Sequence, residues 1–210
     1  MKVNSIKTGS GLTLSTEGLA KRFGFDISAT IDNPGLEEAA IDFIEWVVRY
    51  VEAGFKIASE ETLGYGCWIT KMHLSDRREL VFFEQEPKTG AYVPGISTTL
   101  QLWSEQQALC ARAGADYVAP TFDQMIVISD GVIEGDAAEG VRYPSPEHMS
   151  GWWITTDRFN DDIKTLKTVH TQHVAINRPD LVKYLGLPFG YRFHGPTDEV
   201  WVDEKITVCV

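Results

Sequence analysis

Residues 25–54 read FDISATIDNPGLEEAAIDFIEWVVRYVEAG. The first part alternates: Phe25, Ile27, Ala29 and Ile31 are apolar with polar residues between them, the period of a half-buried strand. The second part changes period. Leu36, Ala40, Phe43, Ile44, Val47, Val48 and Val51 fall on one stripe at 3.6-residue spacing, which predicts a helix over 34–53 that packs on a core. Asn33 is a good N-cap, Pro34 suits the first helical position, and Glu37 and Glu38 suit the positive end of the dipole. Gly54 can close the helix.

Outward from this strand–helix unit the elements stay mixed. Residues 67–74 and 79–84 predict two strands joined by Ser75-Asp76-Arg77-Arg78 as an antiparallel hairpin. A second helix is predicted over 97–112, capped by Ser97 or Thr98, with Leu100, Trp103 and Cys110 inward and Gly114 as its stop. A strand over 125–129 ends in the turn pair Asp130-Gly131. Residues 135–146, rich in Gly, Pro, Ser and acids, predict a long loop with little regular structure. Residues 151–156 predict a strand, 166–174 read as either strand or helix, and 179–185 predict a short helix. Closing strands are predicted at 191–194 and 200–202. No regular βαβ rhythm emerges, so the expected class is α+β, with mainly antiparallel sheets and helices packed on one face. The expected regions are an N-terminal α+β part, 1–120, and a C-terminal part, 121–210, which can pack as one unit. Gly66-Cys67-Trp68-Ile69-Thr70 is echoed by Gly151-Trp152-Trp153-Ile154-Thr155. The echo reads either as two related halves or as two strands meeting the same packing need.

Composition limits the partners. The chain has 210 residues, 43% of them hydrophobic and 11% aromatic, which excludes a disordered chain. Lys and Arg number 19 against 30 Asp and Glu, a net charge of −11. That balance lacks the basic footprint of a nucleic-acid binder and disfavours an anionic membrane surface. It favours a basic protein partner, or simply solubility. Cys67, Cys110 and Cys209 are odd in number and widely spaced, so no disulfide framework is expected. Residues 1–7 lack an apolar segment behind their charges, so no signal peptide is expected, and the expected compartment is the cytoplasm.

No catalytic pattern stands out: GxSxG, Walker, GxGxxG and HExxH motifs are all missing from the sequence. His170 and His173 are the densest candidate. Three residues apart, they share a helix face but not a strand face, and a metal site needs a third ligand. A metal-dependent hydrolase on this pair is therefore one alternative. A small-ligand or peptide module with an aromatic pocket of Trp152, Tyr143 and Tyr191 is another. The cysteines have no electropositive setting, and no pair of carboxylates is singled out. The expectation is a non-enzyme with no cofactor and no metal.

Ser150-Gly151-Trp152-Trp153, then His173, Arg178-Pro179-Asp180-Leu181 and Leu185-Gly186-Leu187-Pro188-Phe189-Gly190-Tyr191-Arg192-Phe193, recur in this order in a known family. So do the segments at 122–129 and 139–146. The chain resembles the thirty-third class of immunity domains of bacterial polymorphic toxin systems, and residues 64–68 and 90–95 match its longer members. The resemblance implies an antidote that binds a secreted toxin and blocks it, in some systems a nuclease delivered by type VI secretion. It brings no catalytic residues. Its shared glycines, tryptophans and prolines imply scaffold, with toxin contacts on variable surface.

The expected contacts are Trp152 or Trp153 as anchor, since adjacent strand residues face opposite ways. Asp157, Asp161 and Asp162 follow that strand, and Asp198 and Glu199 precede the last one. The expected partner is a toxin with a basic surface.

Overall fold

The structure is a computed structural model and describes residues 2–9 and 11–207. The chain divides into two compact units. The first takes Met1–Leu63, Ile69–Glu86 and Ala91–Gln101, and the second takes Gly64–Trp68, Pro87–Gly90 and Leu102–Val210. Its class is α+β, with two mostly antiparallel sheets.

In the first unit, β1 (Lys2–Thr8) and β2 (Gly11–Glu17) form a hairpin, and a single turn α1 (Ala20–Phe23) leads to β3 (Asp26–Ile31). After helix α2 (Glu37–Glu52) come β4 (Thr62–Tyr65), β5 (Trp68–Leu74), β6 (Glu79–Gln85) and β7 (Tyr92–Pro94). The sheet order is β1-β2-β3-β6-β5-β4, with β7 also on β6, and only the β3–β6 pairing is parallel among those resolved in register. The apolar positions predicted around residue 27 do turn inward, Ile27, Ala29 and Ile31 being buried and Phe25 half-buried, but Ser28 between them is buried as well. Ile27, Ala29 and Ile31 meet Ala40, Phe43, Ile44 and Val47 of α2, all fully buried, and Phe43 sets its ring edge-on to Phe82 at 4.9 Å. The helix begins differently from expectation. Residues 34–36 form one 3-10 turn, closed by the Asn33 side chain accepting from Gly35 N at 3.0 Å, and the α-helix starts at Glu37. Asn33 is thus a cap, but of the tighter turn that Pro34 nucleates. The β1–β2 hairpin has no counterpart in the sequence reading. Its outer strand lies largely exposed, so no apolar alternation marks it.

Helix α3 (Ser97–Arg112) has the predicted bounds but not the predicted cap. The buried Glu84 carboxylate accepts from Thr98 N (2.9 Å), Thr99 N (2.6 Å) and the Thr99 hydroxyl (2.9 Å). An acid distant in sequence satisfies the free N–H groups and faces the positive helix end.

The second unit continues with β8 (Met125–Ile128), β9 (Ala138–Arg142), β10 (Met149–Thr156), β11 (Lys167–His170), α4 (Thr171–Asn177), α5 (Pro179–Val182), β12 (Tyr191–His194), β13 (Glu199–Val202) and α6 (Glu204–Thr207). Its sheet runs β11-β8-β10-β9-β12-β13, and only β8 and β10 are parallel. Ile126, Ile128, Trp152, Ile154 and Phe193 on one face pack with Leu109, Cys110, Val174 and Leu181 from the helices. The ambiguous stretch 166–174 resolves into both readings, a strand to His170 and a helix from Thr171. The loop expected over 135–146 is corrected: residues 138–142 are an interior strand, paired with both β10 and β12. Its composition hid it, because two of its residues answer tertiary needs. At Gly140 a Cβ would lie 2.2 Å from the Phe193 ring, which stacks on Tyr184 at 4.2 Å, and Arg142 is a buried charge.

The echoed strands have different neighbours. β5 pairs antiparallel with β6, whereas β10 lies between parallel β8 and antiparallel β9. What they share is local: Gly66 and Gly151 both take left-handed backbone, φ 59° and 81°.

Candidate functional site

The family-like motifs of the second unit converge on Arg142. The side chain is only 2% exposed. Its Nε donates to Ser150 O at 2.8 Å, and Nη1 donates to the carbonyls of Val118, Leu187 and Leu185. The guanidinium lies 4.8 Å from the Phe189 ring centre and 5.8 Å from that of Trp152. It has no carboxylate partner among the described residues, and burial draws its pKa down to about 10. A planar donor fork suits such a ring of carbonyls, which a lysine could not serve. The Leu185–Gly190 segment is thereby fixed from inside, since Trp152 Nε1 also donates to Leu185 O (3.1 Å) and Gly190 N donates to Arg142 O (2.8 Å).

The Ser150–Trp153 motif sets which tryptophan faces out. Gly151 is left-handed, and a Cβ there would lie 2.2 Å from Tyr143 O. The register of β10 against β8 shifts between Met149 and Trp153, a bulge that re-aims the strand. The Ser150 hydroxyl secures it by donating to Met125 O at 3.0 Å. Beyond the bulge Trp152 is fully buried and Trp153 is 36% exposed. The opposite orientations expected of the pair are realised. The expectation of Trp152 as an anchor is corrected: it fills the core and offers a partner nothing.

Trp153 lies on the sheet face opposite the helices. Register places Thr168, Val127, Trp153, Val141, Arg192 and Trp201 in one row across all six strands, about 24 Å at ~4.8 Å per strand. Tyr143 meets Trp153 edge-on at 5.9 Å, and Trp201 is 43% exposed. The next row holds Thr155, Glu139, His194 and Glu199. Arg192 is tied to Asp203 at 2.6 Å. Glu139 and Asp157 are exposed with no ion-pair partner among the described residues. Together with Thr155 and His194 they line a hollow of about 70 Å³, too small for a typical small-molecule ligand.

The other expected contact residues are placed as follows. Glu199 is exposed and accepts from the Thr197 hydroxyl at 2.9 Å. Asp198 is engaged within its own unit: Lys183 Nζ at 2.8 Å, the Tyr184 hydroxyl at 2.6 Å and Arg112 at 3.1 Å surround it. These partners, Lys183 first, hold its carboxyl down to about 2. Asp162 caps a 3-10 turn by accepting from Lys164 N, and Asp161 sits exposed with φ 63°. The sequence reading missed Glu139 and Trp201, and assigned Tyr143 to a pocket with Trp152 rather than to the open face beside Trp153. The signal was present for Glu139 and Tyr143, in the alternation of Glu139, Val141 and Tyr143, had 138–142 been read as a strand.

His170 and His173 lie side by side, ring centres 5.8 Å apart, with His170 Nδ1 2.9 Å from Asp123 O. No group of three His, Cys, Asp or Glu that could hold a metal is found among the described residues. Cys67 and Cys110 are buried, with burial pushing Cys67 up to about 11, and Cys209 lies outside the described residues. The aromatic pocket is not formed: Trp152 and Tyr191 pack into the core while Tyr143 stands on the opposite face. No helix among the described residues is long and apolar enough to cross a membrane.

The second unit is thus an α+β domain with a rigid, motif-built interior and an open aromatic and acidic sheet face. Residues 105–203 match the family model of the Imm33-like domain, and the match supports an immunity-protein family assignment for that part of the chain. No curated protein and no solved structure matches the chain.

Proposed function

We propose that the chain is a cytoplasmic immunity protein that binds a cognate antibacterial toxin one to one and neutralises it without catalysis. The Imm33-like match over 105–203 carries this reading. The net charge of −11 supports the finer part, a toxin with a basic surface such as a nuclease effector of a type VI secretion system. An acidic protein can overlay a basic substrate groove, and opposite charge speeds their encounter.

The test is co-expression with the product of the adjacent gene, scored by growth and by co-purification. Rescue with a one-to-one complex is expected. Growth arrest with both proteins present and no complex would overturn the reading.

A further inference from the structure

We infer that the open face of the second sheet is the docking surface, and that its occupant is a toxin patch with an apolar centre ringed by Lys or Arg. This rests on the reading above and specifies its site. Trp153 is the anchor. The Gly151 bulge and the edge-on Tyr143 ring hold it outward, so little side-chain freedom remains to be lost on binding. Val141 lies beside it, and Trp201 stands exposed at the sheet edge of the same row, with Arg192 between them. Trp and Tyr are the residue types most enriched among binding hot spots.

The chemistry of the partner follows from the charges beside that row. Glu139 and Glu199 flank His194 in the next row, and Asp157 joins Glu139 at the 70 Å³ hollow, which admits one cationic side-chain head. Glu139 and Asp157 make no ion pair among the described residues, so they have acceptor oxygens to give. The row's own cation, Arg192, is already neutralised by Asp203. A second copy of this chain fits poorly, because pairing the face with itself would set Glu139, Asp157 and Glu199 against their own kind. Like charges in contact disfavour such a match.

The experiment measures association of the purified full chain with the adjacent gene's product, itself purified as an inactive variant, at several salt concentrations. Trp153→Ala is expected to weaken binding about 30-fold or more. The set Glu139→Gln, Asp157→Asn and Glu199→Gln is expected to slow association about tenfold at low salt and to flatten its salt dependence. Glu38→Gln, Asp42→Asn and Glu45→Gln, the same charge change on exposed α2 positions, should leave both unchanged. Thr155→Arg places bulk and positive charge on the face and should abolish binding, and it serves as the second variant if Trp153→Ala folds poorly. Wild-type rescue with unaltered affinity in Trp153→Ala and Thr155→Arg would overturn the docking face and leave the immunity reading standing. Failure of the wild type itself to bind or rescue removes that reading instead. A stable homodimer that Thr155→Arg dissolves would give the face to a second copy and overturn the inference.

Discussion

Replacing Arg142 by alanine tests whether the second unit is held by its buried charge or by the bulk of that side chain. Four carbonyls receive its donors: those of Ser150, Val118, Leu185 and Leu187. All four lose this donor, and only Leu185 keeps another side-chain donor, Trp152 Nε1, so three carbonyls are counted as orphaned. An orphaned buried group costs about 1–3 kcal/mol, and the truncation adds a void between Trp152 and Phe189. Relief from burying a charge, visible in the guanidinium's pKa of about 10, offsets part of this. The expected net loss is about 4 kcal/mol, a large share of the ~5–15 kcal/mol that holds a typical domain folded. At ~2–4 °C per kcal/mol, Tm should fall by about 12 °C. Arg142→Met separates the two causes. It refills the space and keeps contact with both rings, yet supplies no donor, so it should recover less than half of the loss. Urea denaturation followed by circular dichroism reads both variants as shifts in midpoint at unchanged slope. An Arg142→Met protein within about 1 kcal/mol of wild type would refute the hydrogen-bond account and leave only packing.

Gly151→Ala forces a left-handed alanine whose Cβ meets Tyr143 O, and it should destabilise by about 3 kcal/mol or refold the bulge, read as a lower urea midpoint with altered Trp153 fluorescence quenching. Glu84→Ala removes the acceptor for two helix N–H groups and a hydroxyl. It should cost about 3 kcal/mol and speed hydrogen exchange at Thr98 and Thr99 first. Asp198 has a folded pKa of about 2, below its unfolded value of about 3.9. A depressed acid stabilises above the unfolded pKa and loses that contribution as pH falls towards the folded one. Stability should therefore drop between about pH 4 and pH 2, and Asp198→Asn should flatten the urea midpoint across that window.

The sequence was most legible where local period and burial coincide. The helix stripe through Phe43 and Val47, the hairpin read over 67–74 and 79–84, and the helix read over 97–112 all form close to their expected bounds. Legibility failed at residues 138–142, where Gly140 and Arg142 are dictated by Phe193 and by carbonyls from distant segments. It failed again at the α3 cap, where Glu84 stands in for the local Ser97 and Thr98.

The sequence by itself determined the mixed α+β class, the acidic surface and the opposite orientations of Trp152 and Trp153. These follow from composition and from the two-residue period of a strand. Only the tertiary structure decided which tryptophan is open, which acids are free and which are engaged. Asp198 is bound by Lys183, Tyr184 and Arg112 through pairings across 14 to 86 residues of chain, while Glu139 and Asp157 have no ion-pair partner among the described residues. Such partners come together only when the sheet closes, and no local spacing encodes them.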